Sequence, residues 1–310
     1  MSPKDSNLAW IVVGAGNQGS KHIAALKKNC IGVIDTPNLR EGLAALQTLA
    51  KKGATNIIIA TPEHVKTDYV IESMSLKLNI AIEKPLPLEE NLYNHIHQYL
   101  QQGYKFQTMY DHLTDSLISK AIVEIRQKIN EFQEWTSFSA EYGFGTRNII
   151  QRSPWMDFGT GPWELVSPHI LKIAAETGLL DESKMDFGFG FGGLNAPTEV
   201  IASKGGRNFL TLDTSYISWK NTFRMVFRYE RGLVELNGLE KWGNGILKFY
   251  EMDFNENYPL LVRHLRSSRK ISYVERIHRQ LFDIDLFESL KHDNLIWKHI
   301  WDARSSLYSI

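Results

Sequence analysis

Apolar residues in the first third of the chain fall into short unbroken runs, each followed by a polar stretch of helical length. Residues 8–13 form the first run, rich in β-branched side chains, as a strand covered on both faces of a parallel sheet requires. It leads directly into Gly14, Gly16 and Gly19, after which residues 20–28 mix Ile23, Ala24 and Leu26 with charges and read as a helix. A second run, 31–34, stops at Asp35, and Thr36-Pro37 introduces a helix over 38–52. The alternation repeats with a strand at 56–60, Thr61-Pro62, a helix near 65–76, and a strand at 79–82 that ends in Glu83-Lys84-Pro85. A further strand is expected near Phe106. Strands and helices alternating through short loops predict a doubly wound parallel sheet. Only one helix separates Asp35 from the strand at Asn56, where a further strand-helix pair is common, so this sheet is expected to be trimmed.

The texture changes near residue 115. A helix over 117–128 is followed by period-2 or aromatic runs at 134–142, 199–202, 209–216, 222–229 and 233–236, most of them bounded by Gly or Asn. Strands that follow one another without helices between them predict a mainly antiparallel sheet and an α+β second domain. Residues 258–265 and 280–302 are expected to be helical, and the glycine-rich segment 187–193 a strand or loop. The expected division is a Rossmann-type domain over 1–115 and an α+β domain over 116–310. No internal repeat or low-complexity linker interrupts either half.

Composition narrows the partners. The 310 residues carry 35 Lys+Arg against 35 Asp+Glu, a net charge of zero, which argues against a nucleic-acid binder or a polybasic membrane-surface protein and leaves small molecules as the expected ligands. Cys30 is the only cysteine, so an intrachain disulfide and a multi-thiolate metal site are excluded and a reducing, cytoplasmic setting is expected. The first residues are polar, and no apolar run reaches the roughly 18 residues that a spanning helix needs, so neither a cleaved signal nor membrane insertion is expected.

The chemistry begins with Gly14, Gly16 and Gly19. A glycine triple is weak evidence alone, but here it joins a buried strand to a helix, and Asp35 ends the next strand 21 positions after Gly14. That context suits a dinucleotide. Gly14 makes the tight turn, Gly16 lets backbone approach a pyrophosphate, Gly19 allows close helix packing, and the helix opening with Asn17 and Gln18 faces the phosphates. Asp35 would accept from the adenosine ribose hydroxyls and repel a 2′-phosphate, favouring NAD, with NADP possible if Arg40 or Lys51 swings toward a phosphate. Thr61-Pro62 and Glu83-Lys84 end neighbouring strands, where ligands of an open parallel sheet lie. Lys84 there could stabilise oxyanion character on a substrate oxygen.

The glycine motif, Ala60-Thr61-Pro62 and above all Glu83-Lys84-Pro85 at this spacing resemble the glucose-fructose oxidoreductase and inositol dehydrogenase (Gfo/Idh/MocA) family. The resemblance is specific over residues 8–86 and architectural beyond. It implies a Rossmann domain followed by an open antiparallel sheet, and NAD(P)-dependent hydride transfer at a carbinol carbon of a sugar, polyol or sugar nucleotide. It also gives Lys84 contact with both nicotinamide and substrate hydroxyl.

In that family a glycine pair opens a helix presenting an aspartate and, four residues later, a histidine. Gly159, Gly161 and His169 match, but the aspartate column holds Leu165, and a further aspartate three after the histidine is replaced by Lys172. Glu164 and Asp157 are nearby carboxylates, although Glu164 lies about 100° around an ideal helix from Leu165. Pro168 removes a helical hydrogen bond, so either the helix from Pro162 is kinked or it restarts with Ser167 as N-cap and Pro168 at N1. In the restarted form His169 sits in the first turn, where the dipole favours a neutral, base-competent ring. Tyr110, His112, Arg152 and Trp163 are further substrate-contact candidates, and no metal is expected, since no carboxylate and histidine cluster has ligand spacing.

The reading is an oxidoreductase in which Lys84 polarises the substrate oxygen and His169 exchanges the proton, assembled as a homo-oligomer, dimer or tetramer. The absent aspartates keep two alternatives open: reduction of a C=N or conjugated bond, and a catalytically silent NAD(P)-binding regulator.

Overall fold

The computed structural model describes residues 9–87, 89–132, 135–145, 163, 166–191, 197–206, 208–218, 220–243, 245–253, 255, 258–267, 276 and 286–309. The chain divides into two compact units, Met1–Asp111 with Ser272–Asn294, and His112–Ile271 with Leu295–Ile310.

The first unit follows the strand-helix alternation: β1 (Trp10–Val13), α1 (Asn17–Leu26), β2 (Cys30–Ile34), α2 (Leu39–Lys51), β3 (Asn56–Ile59), α3 (Glu63–Ser75), β4 (Asn79–Glu83), α4 (Glu90–Gln101) and β5 (Phe106–Met109). The five strands form one parallel sheet in the order β2-β1-β3-β4-β5. Its centre is dry: β1, β3 and β5 are buried at every position, and Ile57, Ile58 and Ile59 expose no surface. Each such side chain contributes about 1.5–3 kcal/mol by leaving water. Among the described residues β2 is the edge strand, and its Ile31 and Val33 stay exposed, as expected where no further strand of the described residues lies beyond it. The trimming read from the sequence is therefore a feature of the fold. Order reverses about β1, which sends the chain first to β2 and then to β3 on the other side. The switch point between β1 and β3 is where a doubly wound sheet leaves a crevice at its carboxyl ends.

The second unit contains α5 (Ser116–Phe132), β6 (Trp135–Gly145), α6 (Ser167–Glu176), β7 (Asp186–Gly190), β8 (Glu199–Lys204), β9 (Phe209–Ser218), β10 (Thr222–Tyr229), β11 (Gly232–Asn237), β12 (Ile246–Asp253) and β13 (Tyr258–Arg266). These form an eight-stranded sheet in the order β13-β12-β11-β10-β6-β9-β8-β7, antiparallel except where β6 meets β9. Residues alternate between the faces: Phe138, Ala140, Tyr142, Leu210, Leu212, Phe223 and Met225 are buried, whereas Ile201 and Phe209 are exposed. α5 turns Leu117, Ile118, Ala121 and Ile125 into the core at helical spacing. Asp115 caps it, its Oδ1 accepting from the amides of Leu117 and Ile118 at 3.0 and 3.4 Å. The long helix α7 (Leu286–Leu307) follows.

One expectation is corrected. Residues 258–265 are not helical: β13 pairs along β12, with Pro259 opposite Met252. It is an edge strand with Leu260, Leu261 and Val262 all exposed, so no inside-outside alternation marks it in the sequence. Glycine-rich β7 is a strand over Asp186–Gly190, with residues 192 and 193 outside the described set. The helix expected over 280–302 is described from Leu286 to Leu307.

On the face of the second sheet opposite Leu210 and Leu212, Asp213 stands directly across from Glu141 on β6. Burial, reinforced by the charges of Glu199 and Glu141, raises its pKa from 3.8 to about 6. The folded protein therefore holds this proton more tightly than the unfolded chain does. The resulting stability is fully present below about pH 4 and is lost as pH rises through about 6. Asp213→Asn is expected to remove that dependence, so the variant's melting temperature should gain on the wild type between about pH 4 and 6.5. A melting-temperature difference that stays constant over this range would contradict the assignment.

Candidate active site

Local sterics shape the loop between β1 and α1. Gly14 has φ +88°, and a Cβ there would lie 2.5 Å from the carbonyl oxygen of Ala60. Its amide donates to the Ile34 carbonyl at 2.8 Å, tying the loop to the end of β2. A Cβ on Gly19 would lie 1.7 Å from the Gly14 carbonyl oxygen, so only glycine lets α1 rest on the loop. Gly16 differs: a Cβ there would meet nothing within 4 Å. It is the N-cap of α1, in extended conformation and without a side-chain cap. The first intrahelical bond runs from the Ser20 amide to the Gly16 carbonyl at 2.9 Å, so the amides of Asn17, Gln18 and Gly19 have no acceptor one turn earlier. Uncapped amides, the positive end of the helix dipole and open space over Gly16 together make an anion cradle.

The neighbouring strand ends complete it. Asp35, at the end of β2, is exposed, and its Oδ1 accepts from the Ala15 amide at 3.0 Å. Thr61 follows β3, and its buried hydroxyl has no hydrogen-bond partner among the described residues. An orphaned hydroxyl beside a loop that excludes a Cβ at Gly14 and tolerates one at Gly16 fits a dinucleotide phosphate. Gly14, Gly16, Asn17, Gln18, Gly19, Asp35, Thr61 and Pro62 are thus gathered at the carboxyl ends of β1, β2 and β3.

Glu83 ends β4, and the Lys84–Pro85 peptide that follows is cis. Two helices grip this turn. From α1, fully buried His22 places Nε2 2.8 Å from Glu83 Oε1. From α3, Lys66 donates from Nζ to the carbonyls of Glu83 at 2.6 Å and Pro85 at 2.8 Å. Lys66 is 3% exposed, and burial lowers its pKa from 10.5 to about 7, against the opposing pull of Glu83. Lys84 itself is half-buried. Sequence reasoning missed both supports, although Lys66 shares the buried stripe of α3 with Tyr69, Val70 and Ser73.

In the second unit α6 begins at Ser167, so the restarted helix is the form adopted. Its N-cap is Val166 rather than Ser167, because the Ser167 hydroxyl donates back to the Trp163 carbonyl. His169 lies in the first turn, its amide bonded to the Val166 carbonyl at 3.2 Å. Its ring meets that of His112 with centroids 3.8 Å apart, and Tyr142 packs edge-on to both at 4.9 and 5.8 Å. Phe223 closes this cluster against His112 and Tyr142. The two imidazoles are brought together by α6 and by the turn before α5, a pairing no spacing rule reveals.

Other candidates are placed differently. Trp163 is fully buried, and its Nε1 donates to the His299 carbonyl at 3.3 Å, which makes it a core residue of the second unit. Tyr110 follows β5 and is 2% exposed. Lys172, at the second aspartate column, is fully buried and lies 3.6 Å from Glu176 one turn along the same helix. Arg152, Asp157, Gly159, Gly161, Glu164 and Leu165 lie outside the described residues. No helix among the described residues is long and apolar enough to cross a membrane.

No family model matches the chain, and no curated protein sequence does. Solved structures do match it nearly end to end. UDP-N-acetylglucosamine 3-dehydrogenase from Acidithiobacillus ferrooxidans is 15% identical with a TM-score of 0.70, over 96% of this chain and 97% of that one. Levoglucosan dehydrogenase, in complex with NADH, is 14% identical with a TM-score of 0.66 over 97% of each chain. An inositol dehydrogenase homolog from Azotobacter vinelandii, complexed with NAD+, is 14% identical with a TM-score of 0.64, over 97% of this chain and 88% of that one. At such identities the shared property is the fold alone.

Proposed function

We propose that the chain is an NAD(P)-dependent oxidoreductase of the glucose-fructose oxidoreductase and inositol dehydrogenase kind. It would transfer hydride between nicotinamide and a carbinol or carbonyl carbon of a sugar, polyol or sugar-nucleotide-like substrate. The observation that carries this reading is the anion cradle at the β1/β3 switch point with a lysine turn on the adjoining strand end. The sugar and polyol dehydrogenases that share the fold support this choice of substrate class. The Rossmann-type unit is assigned the coenzyme and the α+β unit the substrate.

When bound, the coenzyme supplies the hydride donor or acceptor. The chain's own groups supply the rest. Amides of Asn17, Gln18 and Gly19 bind phosphate oxygens, the Thr61 hydroxyl gains a partner, and Asp35 accepts from ribose hydroxyls. The Lys84 ammonium donates to the substrate oxygen and stabilises the negative charge that develops there. His169 takes the hydroxyl proton during oxidation and returns it during reduction. His112 packs against His169 with ring centroids 3.8 Å apart and so helps to fix the imidazole that exchanges the proton. Exposed Ile201 and Phe209 on the open sheet face support self-association into a homo-oligomer, which light scattering reads directly.

Coenzyme titration followed by NADH fluorescence is the primary test. NADH is expected to bind more tightly than NADPH, because the Asp35 carboxylate opposes a 2′-phosphate. Asp35→Ala should weaken NADH by about tenfold and erase the preference. Saturable turnover of sugars or polyols with NAD, and none of imines, is the expected companion result. Folded protein that binds neither coenzyme would overturn the proposal.

A further inference from the structure

Lys66 is spent on nothing in the mechanism above, yet it is the most deeply buried ammonium of the first unit's active-site region. A lone charge so far from water is costly unless its donors are used. Lys66 uses them on two carbonyls that flank a single residue, those of Glu83 and Pro85, and the residue between is Lys84. We propose that Lys66 is a positioning residue for Lys84: one Nζ bridges the backbone on either side of Lys84 and so sets the direction in which the Lys84 side chain leaves the turn. His22 fixes the Glu83 side chain from α1 and completes the grip. The helix that opens at the anion cradle and the helix that opens after Thr61-Pro62 thereby hold the same turn. Cradle and lysine are set relative to each other through the two helices.

The charged groups acting on Lys66 are Glu83 on β4, Lys84 in the turn and Glu63 on its own helix, and His22 bonds Glu83 from α1. An ammonium is a stronger donor to carbonyls than a neutral amine. Its loss of charge toward alkaline pH loosens the bridge, and Lys84 then wanders.

This inference rests on the assignment of Lys84 to the nicotinamide site, and the test separates the two. Lysine acetylation by an N-hydroxysuccinimide ester, read at Lys84 by peptide mass spectrometry with and without saturating NADH, reports whether the bound coenzyme shields that amine. The wild type is expected to show about tenfold shielding, since a well-placed amine under the coenzyme is inaccessible. Lys66→Met keeps the bulk and removes the donors. It should reduce shielding to about twofold or less while NADH affinity, set by the cradle, changes by no more than about threefold. Lys66→Arg retains donors and should restore shielding, which a loss of mere bulk or stability would not explain. In the wild type, shielding should also decline as pH rises above about 7. Should Lys66→Met fail to fold, Lys66→Leu, which also lacks donors, and the wild-type pH series carry the same comparison. Equal shielding in wild type and Lys66→Met would overturn the positioning role, and no shielding in the wild type would instead overturn the placement of Lys84.

Discussion

Lys84→Ala is expected to lower kcat by about 10²–10³-fold, the usual consequence of deleting one donor aimed at a developing oxyanion. Three features of the structure make the effect fall on catalysis rather than on folding. Lys84 is half-buried in a turn whose backbone is held by other groups, Lys66 through the carbonyls of Glu83 and Pro85, and His22 through Glu83 Oε1. Truncating the side chain at Cβ leaves those bonds intact, so the melting temperature should stay within about 2 °C of the wild type, a shift worth less than about 1 kcal/mol. The anion cradle is built from amides of another segment, so NADH affinity should change by no more than about threefold. Lys84→Arg keeps the charge but displaces it, and an intermediate rate is expected because a planar fork does not replace a compact ammonium. Steady-state rates on whichever sugar or polyol turns over, paired with coenzyme titration, decide the matter. A variant that retains full activity would mean that hydride chemistry occurs without this lysine, and the mechanism assigned here would be wrong.

The first unit was largely readable because its strands are buried on both faces. Continuous apolar runs such as Trp10–Val13 and Asn56–Ile59 admit few other interpretations, and Gly14, Asp35, Thr61 and Lys84 sit at their ends by the logic of a parallel sheet. Even the absent edge strand showed, as a gap too short to hold one. The second unit was less transparent. β13 is an edge strand exposed at Leu260, Leu261 and Val262, so burial left no period in its sequence and its clustered apolar residues imitate a helix. β12 escaped notice for the related reason that Lys248, Tyr250 and Glu251 interrupt its apolar positions. What the sequence could not supply was contact between distant positions. His169 was singled out by its helix, but its ring partner His112 comes from a turn between β5 and α5, and Tyr142 from β6. Lys66 gave one faint sign, a lysine inside an otherwise buried stripe of α3, whose meaning depends on where the Glu83 and Pro85 carbonyls point.

The two flanking glycines of the cradle allow coenzyme binding and folding to be separated by substitution. Gly16→Val adds atoms to a place where a Cβ meets nothing within 4 Å, and Gly16 already has an ordinary extended φ of −63°. The folded protein should therefore accept valine with little change in melting temperature. If phosphate oxygens occupy that space, the added methyl groups displace them from the amides of Asn17, Gln18 and Gly19. NADH affinity should then fall by about 10²-fold or more, roughly 2.7 kcal/mol. Gly19→Ala does the opposite. Its Cβ would stand 1.7 Å from the Gly14 carbonyl oxygen and 2.7 Å from the carbonyl carbon, both backbone atoms that cannot rotate away. α1 must lift from the loop, at a cost at or above the roughly 1–3 kcal/mol of ordinary overpacking. A melting temperature lower by about 5 °C or more is expected, with coenzyme affinity lost as a consequence of the displaced helix. Differential scanning fluorimetry and NADH titration on the two variants give the comparison. The decisive pattern is normal melting with failed binding for Gly16→Val. Normal melting with normal binding would mean that no phosphate lies over Gly16, and the cradle would then be a feature of packing alone.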